Sequence, residues 1–269
     1  MIARKLIILT RNIKVSDQRK SCGRPNIFCW PFALRTSVAH VICDGIQSYE
    51  MAEKKKLELP KLRFPNAYPD LGIVSAAIEK NGIKTRISEV NWQVYSYRPE
   101  VDLFSAYTES EILLKYCVAE KHILARYTHI NSPVYKDSCV EFFISSGNGF
   151  YYNFEFNCIG TPYVGYGAQR EGRTLVEEEI VSKIRTRSTL GNKRIDIRKV
   201  SGYWELTIAI PFGLFKEAEY KNPHHHTFKA NFYKCGEDLT VPHYLSWNRI
   251  GVKNPDFHRP DFFGEIDFI

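Results

Sequence analysis

No stretch of this chain reaches the eighteen or so consecutive apolar residues that a membrane-crossing helix requires, and its 269 residues include only two methionines. The apolar run nearest the start, Leu6 to Leu9, is too short for a secretory signal and is followed by Arg11 and Lys14. No membrane partner is expected. With no export signal visible, the default compartment is the cytoplasm. The seven cysteines, at 22, 29, 43, 117, 139, 158 and 235, are odd in number and include no CxxC pair. That argues against a disulfide framework or a zinc site and for buried free thiols, since several lie inside apolar strand-like runs. GxGxxG, Walker, GxSxG and HExxH motifs are also missing, so the commonest nucleotide, hydrolase and metalloprotease chemistries have no signature.

A net excess of basic charge is lacking in most of the chain. The formal net charge is +7, but residues 1–50 hold eight of the 37 Lys and Arg against three of the 30 Asp and Glu, leaving only +2 for the remainder. A nucleic-acid partner is therefore not expected. Residues 1–50 show no helical or strand period, and Met51 opens a stretch that reads like an ordinary protein start. They are taken as a basic N-terminal extension outside the fold, either disordered or translated from upstream of the true start, with the domain proper at 51–269.

What is plentiful is aromatic: 14% of the chain, from 16 Tyr, 17 Phe and four Trp. Apolar residues alternate at Ile112, Leu114, Tyr116 and Val118, at Val140, Phe142 and Ile144, at Phe154, Phe156 and Cys158, and at Trp204, Leu206, Ile208 and Ile210. Period two marks half-buried strands. Between them lie turn clusters such as Ser145 to Gly149, Ala168 to Gly172 and Gly191-Asn192. Many short strands with little helix, the exception being Asp70 to Lys80, imply an all-β fold: an antiparallel, jelly-roll-like β-sandwich with short peripheral helices.

Three stretches carry chemistry. In Tyr151 to Gly160, YYNFEFNCIG, strand geometry sets Asn153, Glu155 and Asn157 opposite the apolar face, as a row able to pair with hydroxyls or to face solvent. Upstream, Asp137, Cys139 and Glu141 share a strand face, where two carboxylates suit acid–base work, cation binding or structural hydrogen bonds. Downstream, Trp247, Asn248 and Arg249 precede a Pro-rich loop, the composition of an aromatic platform beside polar groups or of a tryptophan closing the sandwich. His224-His225-His226 cannot all face one ion and reads as a solvated loop. The basic run Lys183 to Lys199 lacks interleaved aromatics and reads as an exposed sheet face.

Together, DSCVEFFI (Asp137 to Ile144), YYNFEFNCIG, WELTIAIPF (Trp204 to Phe212), NFYKCG (Asn231 to Gly236) and the PDFHRPDFFGEIDF ending resemble carbohydrate-binding module family 9 over about residues 90–269. The resemblance implies a noncatalytic β-sandwich of the kind appended to xylanases, holding an oligo- or polysaccharide between two aromatic side chains. It implies a plant-type glycan, xylan- or cellulose-derived, and structural calcium in some members; no cofactor is otherwise expected. Carried over by position, the aromatics fall on Tyr135, where xylanase-borne modules usually have Trp, and on Trp247. Polar candidates are Asn157, Glu155 and Arg249, with Trp92 as an aromatic neighbour. The alternatives are a glycoside hydrolase using a pair from Asp137, Glu141 and Glu155, or a sandwich that has lost its sugar and serves as an interaction domain.

Overall fold

A strand whose alternate residues are large and apolar must bury one face, and the four alternations above do so in a single shared core. The structure, a computed structural model, describes residues 53–269, apart from the side chains of 197–201. The expectation for residues 1–50 falls outside the described residues. The elements begin with β1 (Lys56–Leu59), α1 (Leu71–Asn81), β2 (Ile83–Arg86), β3 (Glu89–Val90), β4 (Glu100–Tyr107) and β5 (Glu111–Ala125). There follow β6 (Cys139–Ser145), β7 (Tyr151–Asn157), β8 (Pro162–Gly167), β9 (Thr174–Leu175), α2 (Glu178–Val181) and β10 (Arg185–Ser188). The chain closes with β11 (Ile195–Pro211), β12 (Thr227–Gly236), β13 (His243–Ser246) and β14 (Gly264–Phe268).

These strands form a β-sandwich. The larger sheet runs β1-β14-β12-β6-β7-β8-β9, with β13 paired to β12 and to β3; the smaller runs β10-β11-β5-β4-β2. Every pairing is antiparallel except β1 with β14. Between the sheets lie Ile112, Leu114, Tyr116 and Val118 of β5, Val140, Phe142 and Ile144 of β6, and Trp204, Leu206, Ile208 and Ile210 of β11. Register stacks Phe142 on Phe154 and on Phe232, with ring centroids 6.1 and 5.0 Å apart. Each such side chain contributes about 1.5–3 kcal/mol on burial.

The short helix also follows from its sequence. Asp70 caps it by accepting from Gly72 N at 2.8 Å. Leu71, Val74 and Ile78, on one helical face, pack on Ala106, Leu113 and Ala209 on the outer side of the smaller sheet. The turn joining β6 to β7 takes glycines at 147 and 149 because both have positive φ, 92° and 89°.

Two expectations need correction. The strands β6 and β7 are buried on both faces, not half-buried. Val134, Ile250, Phe257 and Phe263 cover the outer face of the larger sheet and form a second apolar cluster with Cys139, Phe143, Tyr151 and Tyr233. The row Asn153, Glu155 and Asn157 thus lies under a roof, away from bulk water. Within the basic run, Arg185 is half-buried, because its guanidinium forks onto both oxygens of buried Glu111, at 3.1 and 2.7 Å, and donates to Pro69 O at 2.6 Å.

At one end of the core the apolar filling gives way to charge. Lys234 Nζ lies 3.0 Å from Glu120 Oε2 and 2.9 Å from His243 Nε2, and all three side chains are fully buried. Trp204 Nε1 donates to the other Glu120 oxygen at 2.7 Å. Burial and the neighbouring ammonium hold His243 well below its usual pKa, so it stays neutral.

Candidate functional site

The roof over the larger sheet is incomplete. Its gap is a cleft of about 370 Å³ whose floor is Glu141 of β6, Glu155 of β7 and Cys235 of β12. Cross-strand register explains this grouping: Glu141 stands opposite Glu155 on one side and opposite Tyr233 on the other, while Cys235 stands opposite Cys139. Odd-numbered residues of β6, β7 and β12 thus share the outer face, and even-numbered ones fill the core.

Both floor carboxyls are shielded from water. Glu155, 3% exposed, accepts from Asn153 Nδ2 at 2.9 Å through Oε1, while its buried Oε2 has no partner. Burial pushes its pKa up to about 7, against the opposing pull of Arg173 and the Asn153 hydrogen bond. Glu141 is pushed well above the ordinary range by burial, with Cys235 and Glu155 beside it adding to the effect. Gly165 of β8 makes room for this arrangement, since a Cβ there would stand 2.5 Å from Asn153 Oδ1.

The walls come from four loops and two strands. Half-buried Tyr135 is supplied by the single turn Val134–Lys136, Tyr163 by β8 and Tyr244 by β13. Trp92 and Tyr95 hold the Tyr244 ring in edge-to-face contacts, with centroids 6.2 and 4.9 Å away. Arg170 and Arg173, from the loop before β9, face Glu237 and Asp256 around the rim. Arg173 Nη1 is buried without a partner. His258 shares a hydrogen bond with Tyr151 at 2.9 Å and is held neutral, its pKa lowered to about 2 by burial and by the two arginines.

The six residues singled out from sequence are scattered across this geometry. Tyr135 and Glu155 line the cleft. Trp92 is buried behind its wall, donating from Nε1 to Val252 O at 2.9 Å and packing on Tyr244. Asn157 lies beneath the roof with its amide fully used: Nδ2 donates to Tyr127 O and Asp137 Oδ2, and Oδ1 accepts from Thr161 N. Arg249 is exposed and does not line the cleft. Trp247, 1% exposed, is in the main core, its ring against Phe232 with centroids 5.5 Å apart.

Strand parity explains that last displacement. On β13, Tyr244 opposes Cys235 and so faces the cleft, whereas Leu245 opposes Lys234 and faces the core. Trp247 follows the Leu245 parity and donates its backbone N–H to Phe232 O. The cleft aromatic from this segment is Tyr244, three residues earlier. Tyr163, Arg170, Arg173, Glu237 and His258 were also missed; each sits in or beside a turn, and only the fold gathers them.

The cleft, walled by tyrosines and floored by carboxyls on one sheet of a β-sandwich, has the composition of a sugar-binding site. Residues 73–268 match the model of carbohydrate-binding family 9, and the chain belongs to that family. Comparison with curated proteins finds no match. Among solved structures, the chain is similar to a protein of Bacteroides uniformis ATCC 8492 to which carbohydrate binding is ascribed. The two are 35% identical with a TM-score of 0.73, over 81% of this chain and 100% of that one. A family 9 module from Caldicellulosiruptor kristjanssonii in complex with glucose is 12% identical with a TM-score of 0.49, over 80% and 96% of the two chains. A family 9 module from the same organism in complex with cellotriose gives 12% and 0.47, over 80% and 93%.

The calcium implied by family resemblance finds no fitting donors in the one grouping of three or more Asp, Glu, His or Cys ligand atoms among the described residues. That grouping is Cys139, Glu141 and Cys235, and two sulfurs do not suit a cation that takes six to eight oxygens.

Proposed function

We propose that the cleft over Glu155 is where this module holds its sugar, with Tyr135, Tyr163 and Tyr244 as apolar walls and Glu155 and Arg173 as the polar contacts. The observation that carries this reading is the unpartnered, buried Glu155 Oε2 at the floor of a cleft walled by tyrosines. A buried acceptor left empty costs about 1–3 kcal/mol. A sugar hydroxyl would fill it, and Arg173 Nη1, also unpartnered, would donate to an adjacent hydroxyl oxygen. Sugars present such vicinal hydroxyls along an edge and C–H groups on a face, which matches polar floor and aromatic wall. Near 370 Å³ the cleft is at the small end of ligand sites, which run about 300–1,000 Å³, and so suits a short saccharide segment rather than a long stretch of polymer.

The geometry supports the hydrolase alternative poorly. Glycoside hydrolysis needs two carboxyls flanking the scissile bond. Glu141 and Glu155 are cross-strand neighbours pointing the same way from one sheet, and Asp137 Oδ2 is occupied by Arg126 N, Tyr127 N and Asn157. A xylan- or cellulose-derived ligand rests on the family resemblance alone.

Isothermal titration of the full chain with xylose, glucose, xylobiose, cellobiose and longer oligomers, with and without calcium, tests the reading. Saturable heat that is lost in Tyr244→Ala and retained in Arg249→Ala places the sugar in the cleft. Heat unchanged by Tyr244→Ala and Glu155→Gln refutes the location, and no heat from any sugar favours an interaction domain.

A further inference from the structure

The cleft floor holds an arrangement that sugar binding does not require. Cys139 on β6 and Cys235 on β12 are directly opposed in register, and Glu141 lies two residues along β6 on the same face. The two sulfurs and a Glu141 oxygen all lie within 4.8 Å of one another, and all three residues are buried. Cys235 Sγ donates to Glu141 Oε1 at 3.0 Å.

Zinc takes sulfur at about 2.3 Å and carboxylate oxygen at about 2.0–2.2 Å, so ligand atoms on a tetrahedral ion stand roughly 3.5–3.8 Å apart. The present spacing needs adjustments of no more than about 1 Å to meet on one ion, within the reach of side-chain rotation on fixed strands. Two thiolates select zinc over calcium or magnesium. Glu141 and Cys235 line the cleft whereas Cys139 does not, so any ion the three share has its remaining position directed into the cavity. Three protein ligands and one open position is the pattern of a zinc site that keeps an exchangeable ligand.

We infer that Cys139, Glu141 and Cys235 form a zinc site whose fourth position opens into the cleft. The inference stands on the donor set alone and holds whether or not sugar binds above it. It differs from a disulfide between the opposed cysteines, which would leave no thiolate to bind an ion.

The test uses the full chain, reduced, stripped with a chelator and titrated with cobalt(II). The expected result is one equivalent bound, with thiolate-to-cobalt charge-transfer absorption in the near ultraviolet, tetrahedral bands in the visible, and displacement of both by zinc. Cys139→Ser and Cys235→Ser should each weaken uptake at least tenfold and diminish the charge-transfer band, whereas Glu141→Gln should weaken uptake and keep that band. Zinc-edge X-ray absorption on the unsubstituted protein should show two sulfurs and two lighter ligands, which needs no variant to fold. Absence of the cobalt bands in reduced protein overturns the inference. So do bands unchanged in both cysteine variants, which would assign the metal to other cysteines, or a shell of three or four sulfurs.

Discussion

Glu155→Gln is expected to stabilise the fold at neutral pH and to weaken sugar binding. The folded protein raises the Glu155 pKa from 4.5 to about 7. Below pH 4.5 the carboxyl is protonated in both folded and unfolded states and carries no penalty. As pH rises from 4.5 to 7 the unfolded chain releases the proton and the folded one resists, so stability falls by about 1.4 kcal/mol per pH unit. Above pH 7 the whole cost of about 3 kcal/mol is present. Glutamine has nearly the same shape, still accepts from Asn153, and has no proton to lose. Urea unfolding at pH 4.5 should show near-equal stability, and at pH 8 a variant more stable by about 3 kcal/mol, or roughly 6–12 °C in Tm for a domain of this size. The same variant loses a hydrogen bond to a charged group, worth about 1.5–3 kcal/mol, which is roughly ten- to hundredfold in sugar affinity. A stability gap of equal size at both pH values would refute the reasoning, as would a variant less stable at pH 8.

Tyr244→Ala should cost about 1–3 kcal/mol of sugar affinity by calorimetry while leaving the fold cooperative, because the ring forms a wall that is half open to solvent. Trp247→Ala should do the reverse: its ring lies in the main core, so denaturation should reveal a loss of about 3–5 kcal/mol of stability, with affinity per folded molecule unchanged. Lys234→Met leaves Glu120 buried without its cation and should cost about 3–5 kcal/mol in chemical denaturation, whereas Glu120→Leu combined with Lys234→Met should recover most of it. A double variant no more stable than the single one would show that the ammonium's other contacts carry the effect.

The fold was largely legible because its strands alternate cleanly. Val140, Phe142 and Ile144, like Phe154 and Phe156, have one side chain parity in the core, and period two reports that directly. The site was less legible, for two reasons. Alternation cannot distinguish a face open to water from one roofed by distant chain, so Asn153, Glu155 and Asn157 gave no sign that Phe257 and Phe263 fold over them. Where a strand is only four residues long, as β13 is, the parity of a nearby aromatic is ambiguous, and Tyr244 and Trp247 exchange roles with one step. The arginines at 170 and 173 lie in a turn cluster with no period at all, and only the β8–β9 hairpin brings them to the rim.

The pairing of β1 with β14 sets an order on how this protein can be made. Within the larger sheet β1 has β14 as its neighbour, with Lys56 opposite Glu265 and Leu59 opposite Phe268, so the first described strand is completed by the last. A ribosome adding about 5–20 residues per second leaves β1 waiting on the order of 10–40 s for that partner to be synthesised. The last strand also stands between β1 and β12, so the sheet edge cannot close from the N-terminal side during synthesis. The domain is therefore obliged to finish folding after its final residues leave the exit tunnel, and nascent chains stalled before Gly264 should remain protease-sensitive at Lys54–Lys56 however long they are held.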